Sequence, residues 1–151
     1  MRKSTIEAGS KKRSWKSKLA IGALAVGVLV AVPTAAHAEG SYTSFVNQAQ
    51  PGFLSRTWGD GNLDGAATKI TLTDCKANKA GKTPGTTAIT SVSVALYRGT
   101  SLLTIKKQKC GTYDFGRQSS GTYRFKITAV NGITDGDRSI FLNVDKVTVS
   151  Y

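Results

Sequence analysis

From residue 41 onward, apolar and polar residues alternate at every second position in short runs, as they do in strands buried on one face. Gly121–Val130 is the clearest run. Tyr123, Phe125, Ile127 and Ala129 share one face, and Arg124, Lys126 and Thr128 the other. Ile89–Arg98 directs Val92, Val94 and Leu96 inward and Ser91, Ser93 and Ala95 outward. Gly99-Thr100 then turns the chain, and Ser101–Lys107 returns with Leu103 and Ile105 on one side, which predicts a hairpin. Ala66–Cys75 alternates equally well, with Ala66, Thr68, Ile70 and Leu72 on one face. Tyr42–Val46 reads as a short strand and Phe53–Asp60 as an extended piece in which Leu54, Arg56 and Trp58 share a face.

Ser139–Tyr151 closes the pattern with a change of parity. Ile140, Leu142 and Val144 share one phase and Val147, Val149 and Tyr151 the other, which predicts a β-bulge or bend at Asp145-Lys146. Gly111-Thr112-Tyr113-Asp114-Phe115 is echoed ten residues later by Gly121-Thr122-Tyr123-Arg124-Phe125, as expected of two neighbouring strands. Pro51-Gly52, Asn131-Gly132 and Asp135-Gly136 are turn signals. No helical period runs through residues 39–151. Short strands at such spacings predict an all-β fold, an antiparallel β-sandwich, with a small open β-barrel as the alternative.

One stretch breaks the alternation. Leu19–Val32 is continuously apolar, follows a basic segment, and leads through Pro33 to Ala36-His37-Ala38. Basic start, short apolar run and small-residue site form the pattern of a secretory signal peptide. A bilayer span takes about 20 apolar residues, more than this run offers. The predicted organisation is a signal peptide over 1–38 and a single β domain over 39–151, with no transmembrane anchor after cleavage and a secreted destination.

That division changes the charge. The chain has 21 Lys and Arg against 9 Asp and Glu. Seven of the basic residues and one acid lie in 1–38, leaving 14 basic and 8 acidic residues and a formal net charge of +6. Such a domain favours anionic surfaces and polymers. The division also removes the only His, His37, and with it the usual general base and the commonest metal ligand. Neither a Ser-His-Asp nor a Cys-His site can be assembled. The remaining acids are Glu39 and seven Asp. Asp60/Asp64 and Asp135/Asp137 are the pairs that an Asp-only glycosidase would need, yet both sit in turn-forming sequence where Asp is common. No enzymatic activity and no cofactor are expected.

Cys75 and Cys110 form an even count in an exported domain and are expected to be disulfide-bonded. Closing a loop of about 35 residues stabilises a fold by roughly 3–4 kcal/mol in the chain-entropy model. Asp60-Gly61-Asn62-Leu63-Asp64-Gly65 matches the first half of a calcium loop, which makes Asp60, Asn62 and Asp64 candidate ligands. The twelfth position is Thr71 where such loops carry a bidentate Glu, so a turn without functional calcium is expected. Trp58, the only Trp after residue 38, reads as a core aromatic, with a stacking platform for a sugar as the alternative.

Ser120 to Gly132, SGTYRFKITAVNG, resembles the penultimate strand of immunoglobulin-like and fibronectin III-like domains. The resemblance implies an immunoglobulin-like sandwich. Phe125 stands where antibody domains carry their second cysteine, and Cys110 precedes the strand, so the immunoglobulin disulfide is absent. The whole domain is similar to small exported β-proteins of Gram-positive bacteria.

Lys76, Lys79 and Lys82 follow Cys75, and Lys106, Lys107 and Lys109 precede Cys110. A disulfide would draw these two basic runs to one end of the domain. The functional expectation is a secreted, non-enzymatic binding module that docks to an anionic cell-wall polymer through these six lysines, with no specific nucleic-acid target. The alternative is an inhibitor or antagonistic toxin acting through an exposed loop at Lys76–Thr87. Export requires the chain to be cut after Ala38. N-terminal sequencing of the protein recovered from culture medium should therefore begin at Glu39, and a chain found intact in the membrane fraction would refute the assignment.

Overall fold

The structure, a computed structural model, describes residues 40–151. The proposed signal peptide, its cleavage site, His37 and Glu39 lie outside the described residues. Nine strands follow in order: β1 (Ser41–Ala49), β2 (Trp58–Asp60), β3 (Ala67–Lys79), β4 (Val92–Arg98), β5 (Ser101–Gln108), β6 (Thr112–Arg117), β7 (Gly121–Val130), β8 (Ile133–Thr134) and β9 (Ile140–Ser150). They form two antiparallel sheets, ordered β1-β9-β3-β6 and β2-β7-β4-β5, with β8 paired to β7 beside β2. The sheets do not close into a barrel, so the chain is an antiparallel β-sandwich. No helix among the described residues is long and apolar enough to cross a membrane.

Each sheet buries the face that its alternation marks. Ile70, Leu72, Leu142, Val144, Val147 and Val149 of the first sheet meet Val92, Val94, Leu96, Phe125 and Ile127 of the second. Each such side chain contributes about 1.5–3 kcal/mol by leaving water. Antiparallel pairing of β3 with β6 and of β4 with β7 matches the interlocked pairs of an immunoglobulin sandwich. The last strand differs. An immunoglobulin domain adds it to the sheet of its C and F strands, whereas β9 lies between β1 and β3 in the other sheet.

The two strands of the ten-residue repeat are not neighbours as expected: β6 lies in the first sheet and β7 in the second. Tyr113 and Tyr123 are both fully buried near the start of β6 and β7. Tyr123 Oη donates to the Ser119 carbonyl, four residues back. Tyr113 Oη lies 3.3 Å from the Lys109 carbonyl, also four residues back, and donates best to Val92 O at 3.0 Å. Each Thr-Tyr pair thus locks the corner by which the chain crosses between sheets. This bond to the upstream backbone is the tyrosine corner of immunoglobulin-like domains.

Strand parity follows the sequence in most places, although Ser93 and Ala95, expected to face outward, are both buried. The switch at Asp145-Lys146 is present: both residues are exposed between buried Val144 and Val147, and the β1 register slips there from Ser44↔Val147 to Val46↔Val144. β3 deforms in step, with Asp74 at φ 54° opposite the same point, so β3 and β9 stay in register. In β7 a register shift against β4 pairs Val130 with Val92 in the core, while Ala129 pairs with Ser93. The strand expected from Ile89 begins only at Val92. Asn131 Oδ1 accepts from Thr90 N (2.8 Å), Thr90 Oγ1 (3.0 Å) and Ser91 N (3.2 Å), and a side chain satisfying those donors competes with the sheet ladder.

Burial pushes the Tyr113 phenol up to about 12 from its ordinary 10.0. A raised folded-state value means that the stability this group supplies is intact below pH 10 and is lost as pH rises toward 12. Chemical denaturation between pH 9 and pH 12 should show that loss. The alkaline limb should flatten in Tyr113→Phe, and equal limbs in the two proteins would contradict the assignment.

Candidate functional site

The disulfide forms as expected, with the Cys75 and Cys110 Cα atoms 5.9 Å apart across a sequence separation of 35. It ties β3 to the connection between β5 and β6. Gln108 Nε2 donates to Thr112 O at 2.8 Å across the same corner. The bridge places Lys76 and Lys109, each adjacent to a cysteine, on either side of one covalent link.

The other lysines are distributed by strand geometry. Lys76 is neutralised by Asp145, Nζ to Oδ2 2.7 Å, and this contact holds the ammonium pKa above its ordinary value. Lys79 ends β3 and Lys82 sits in the following turn, both exposed. Lys107 pairs with Ser93 and shares its outward face. Lys106 pairs with core-facing Val94, and its Nζ lies 5.8 Å from the centre of the Phe115 ring. Lys106, Lys107 and Lys109 are exposed and have no carboxylate in ion-pair range among the described residues. The strongest uncompensated charge therefore lies along β5, an edge strand whose eight residues are all exposed.

The Lys76–Thr87 loop is shorter than its composition suggests. β3 runs on to Lys79 because Ala77 is fully buried and Asn78 bonds into the sheet, with Asn143 Nδ2 donating to Asn78 Oδ1 at 3.0 Å. The remaining loop folds back on β3: Gly85 N and Thr87 N both donate to Ala77 O, at 3.0 and 3.1 Å. It is exposed yet tied at its base.

The calcium-like segment is a turn. Asp60 is buried and accepts from Asn62 N at 2.8 Å and from Thr68 Oγ1 at 3.3 Å. Asp64 accepts from Ala66 N at 2.8 Å. Asn62 Oδ1 accepts from Arg117 Nε at 2.6 Å, so a guanidinium stands against the third candidate ligand. The three side chains are directed to different partners.

The second Asp pair is equally committed. Asp135 contacts Lys126 at 2.9 Å, and Asp137 accepts from Ser139 N. These bonds hold both carboxyls below the usual range, the opposite of what a general acid needs.

Trp58 is a core residue. It is 5% exposed, its ring stacks on Tyr123 and Tyr151, and Tyr42 lies tilted 6.0 Å away. The sugar-platform reading is therefore overturned. The shared face of Leu54, Arg56 and Trp58 is also corrected: Leu54 is 46% exposed, while Trp58 is buried. Phe53 and Ser55 bond β7 separately, through Ile127 N→Phe53 O (2.9 Å) and Ser55 N→Phe125 O (2.9 Å), before the chain reaches β2.

No protein-family model, curated protein or solved structure matches the chain.

Asp60 is a structural acceptor in this geometry. Asp60→Ala should cost about 1–3 kcal/mol, the range for stranding buried donors. Calcium should shift the melting temperature of neither protein. A calcium-dependent rise that disappears in Asp60→Asn would assign the loop to metal binding.

Proposed function

We propose that the chain is an exported, non-enzymatic binding module that holds an anionic cell-envelope polymer. The observation that carries this reading is the β5 edge with its following turn, where Lys106, Lys107 and Lys109 stand exposed with no carboxylate in ion-pair range among the described residues. A flexible ammonium suits a disordered polyphosphate better than the planar fork of arginine would. The disulfide supports the same destination, since such bonds persist in oxidising compartments. Lysines also protect an exposed edge strand from pairing with copies of itself, a role compatible with docking. The turn beyond β3 supports the second reading, an inhibitor, because it presents Lys82 on a loop whose base is hydrogen-bonded. Titration against a panel of proteases tests that alternative.

For the first reading the probe is polyglycerol phosphate, the repeating chemistry of a teichoic acid. Binding should weaken several-fold between 50 and 200 mM salt, since screening length is only about 10 Å at 0.1 M. Changing Lys106, Lys107 and Lys109 together to Gln should weaken it further and leave the melting temperature within a few degrees. Equal binding by wild type and variant at low salt would sink the proposal.

A further inference from the structure

The side of the sandwich away from β5 has a gap between the sheets. There the first sheet ends in β1 and the second in residues 53–56. Val46, Phe53, Phe125 and Val147 line part of a cavity of about 90 Å³, and Phe45 and Arg56 also border it. Two features at this opening are unusual for a surface. Phe45 is 69% exposed on an otherwise ordered strand. Arg56 has no carboxylate in ion-pair range among the described residues, yet its guanidinium is held in place, 3.6 Å from the centre of the Tyr42 ring. The buried Tyr42 Oη lies beside it, close to Arg56 and Ser55. Burial raises the Tyr42 phenol above its ordinary value, and Arg56 offsets part of that rise. The phenol is thus a neutral donor at physiological pH.

We propose that this cleft binds a carboxylate carried on a short branched aliphatic chain, the tail between Phe53 and Val147 and the carboxylate on Arg56. Volume sets the tail. At about 30 Å³ per water-sized group, the cavity takes roughly three carbon atoms, an isopropyl end. Charge sets the head. A guanidinium stacked on an aromatic face keeps its N–H edges available for bidentate contact with a carboxylate. Tyr42 lines the same cleft beside it. A free branched acid and the C-terminal residue of a peptide ending in Val share this chemistry. The site is separate from the β5 lysines and stands or falls independently of them.

The test titrates isovalerate into the full chain and follows the amide signals of β1 and residues 53–56. Saturable binding confined to those signals is expected. Arg56→Gln should weaken it at least tenfold, and Phe45→Ala, an exposed position, several-fold. 3-Methylbutanol carries the same tail without the charge and should bind at least tenfold more weakly than isovalerate. Acetate, which has the charge without the tail, should not bind saturably. In a second arm, Gly-Gly-Gly-Val is compared with its C-terminal amide. Saturation by the free peptide alone assigns a chain end, and saturation by isovalerate alone assigns a free acid. If neither saturates, or if acetate or the amide binds as well as its partner, the proposal is wrong. Unchanged affinity in Arg56→Gln also overturns it. Should that variant fail to fold, Arg56→Lys keeps the charge without the fork and must bind several-fold more weakly.

Discussion

A buried phenol that must find a backbone carbonyl governs where this chain can change sheets. Tyr113 and Tyr123 sit one and two residues inside their strands, have no exposed surface, and bond to the backbone upstream. Leaving either hydroxyl unpaired in the core would cost about 1–3 kcal/mol. The loop before each strand therefore cannot slide without stranding it. The two corners set β6 and β7 at fixed heights on opposite sheets, and β7 in turn receives β2, β4, β8 and the strap at residues 53–55. The disulfide lies at the first of these corners and supports the same alignment from the β3 side.

Much of this was legible because strand burial has a period of two. The repeat Gly-Thr-Tyr marked two strands but reads as a neighbouring pair, whereas β6 and β7 lie in opposite sheets; the shift from Val144 to Val147 announced the bulge in β9. What was hidden depended on partners far away in sequence. Nothing in Ile89-Thr90-Ser91 reveals that Asn131 will draw it off the sheet. Lys-Ala-Asn-Lys after Cys75 has the composition of a loop, and only the length of β9 makes it strand. The position of β9 between β1 and β3 could not be read at all, since an alternating pattern gives a strand its face but not its neighbours.

The same limit applies to the sites. The six lysines were visible as residues, but Asp145, 69 positions from Lys76, decides that Lys76 is not among the uncompensated ones. The cleft at Arg56 was invisible. Its walls come from four separate segments, and Arg56 reads in sequence as an ordinary polar position in an extended run. The domain thus carries cationic character on both flanks in different forms: mobile ammonium groups along β5, and one fixed guanidinium against a ring beside β1.

The position of β9 bears on when the sandwich can come into being. The first sheet has its last-made strand near its middle, with β1 paired to a segment about a hundred residues downstream. Until β9 has been made, β1 has no ladder to join and the sheet lacks its centre. Such distant pairing also folds slowly, because loop-closure entropy must be overcome before any contact repays it. For a polypeptide that must cross a membrane as a thread, late closure is an advantage. The topology itself delays the first sheet until β9 has been made, which would suit the export proposed above.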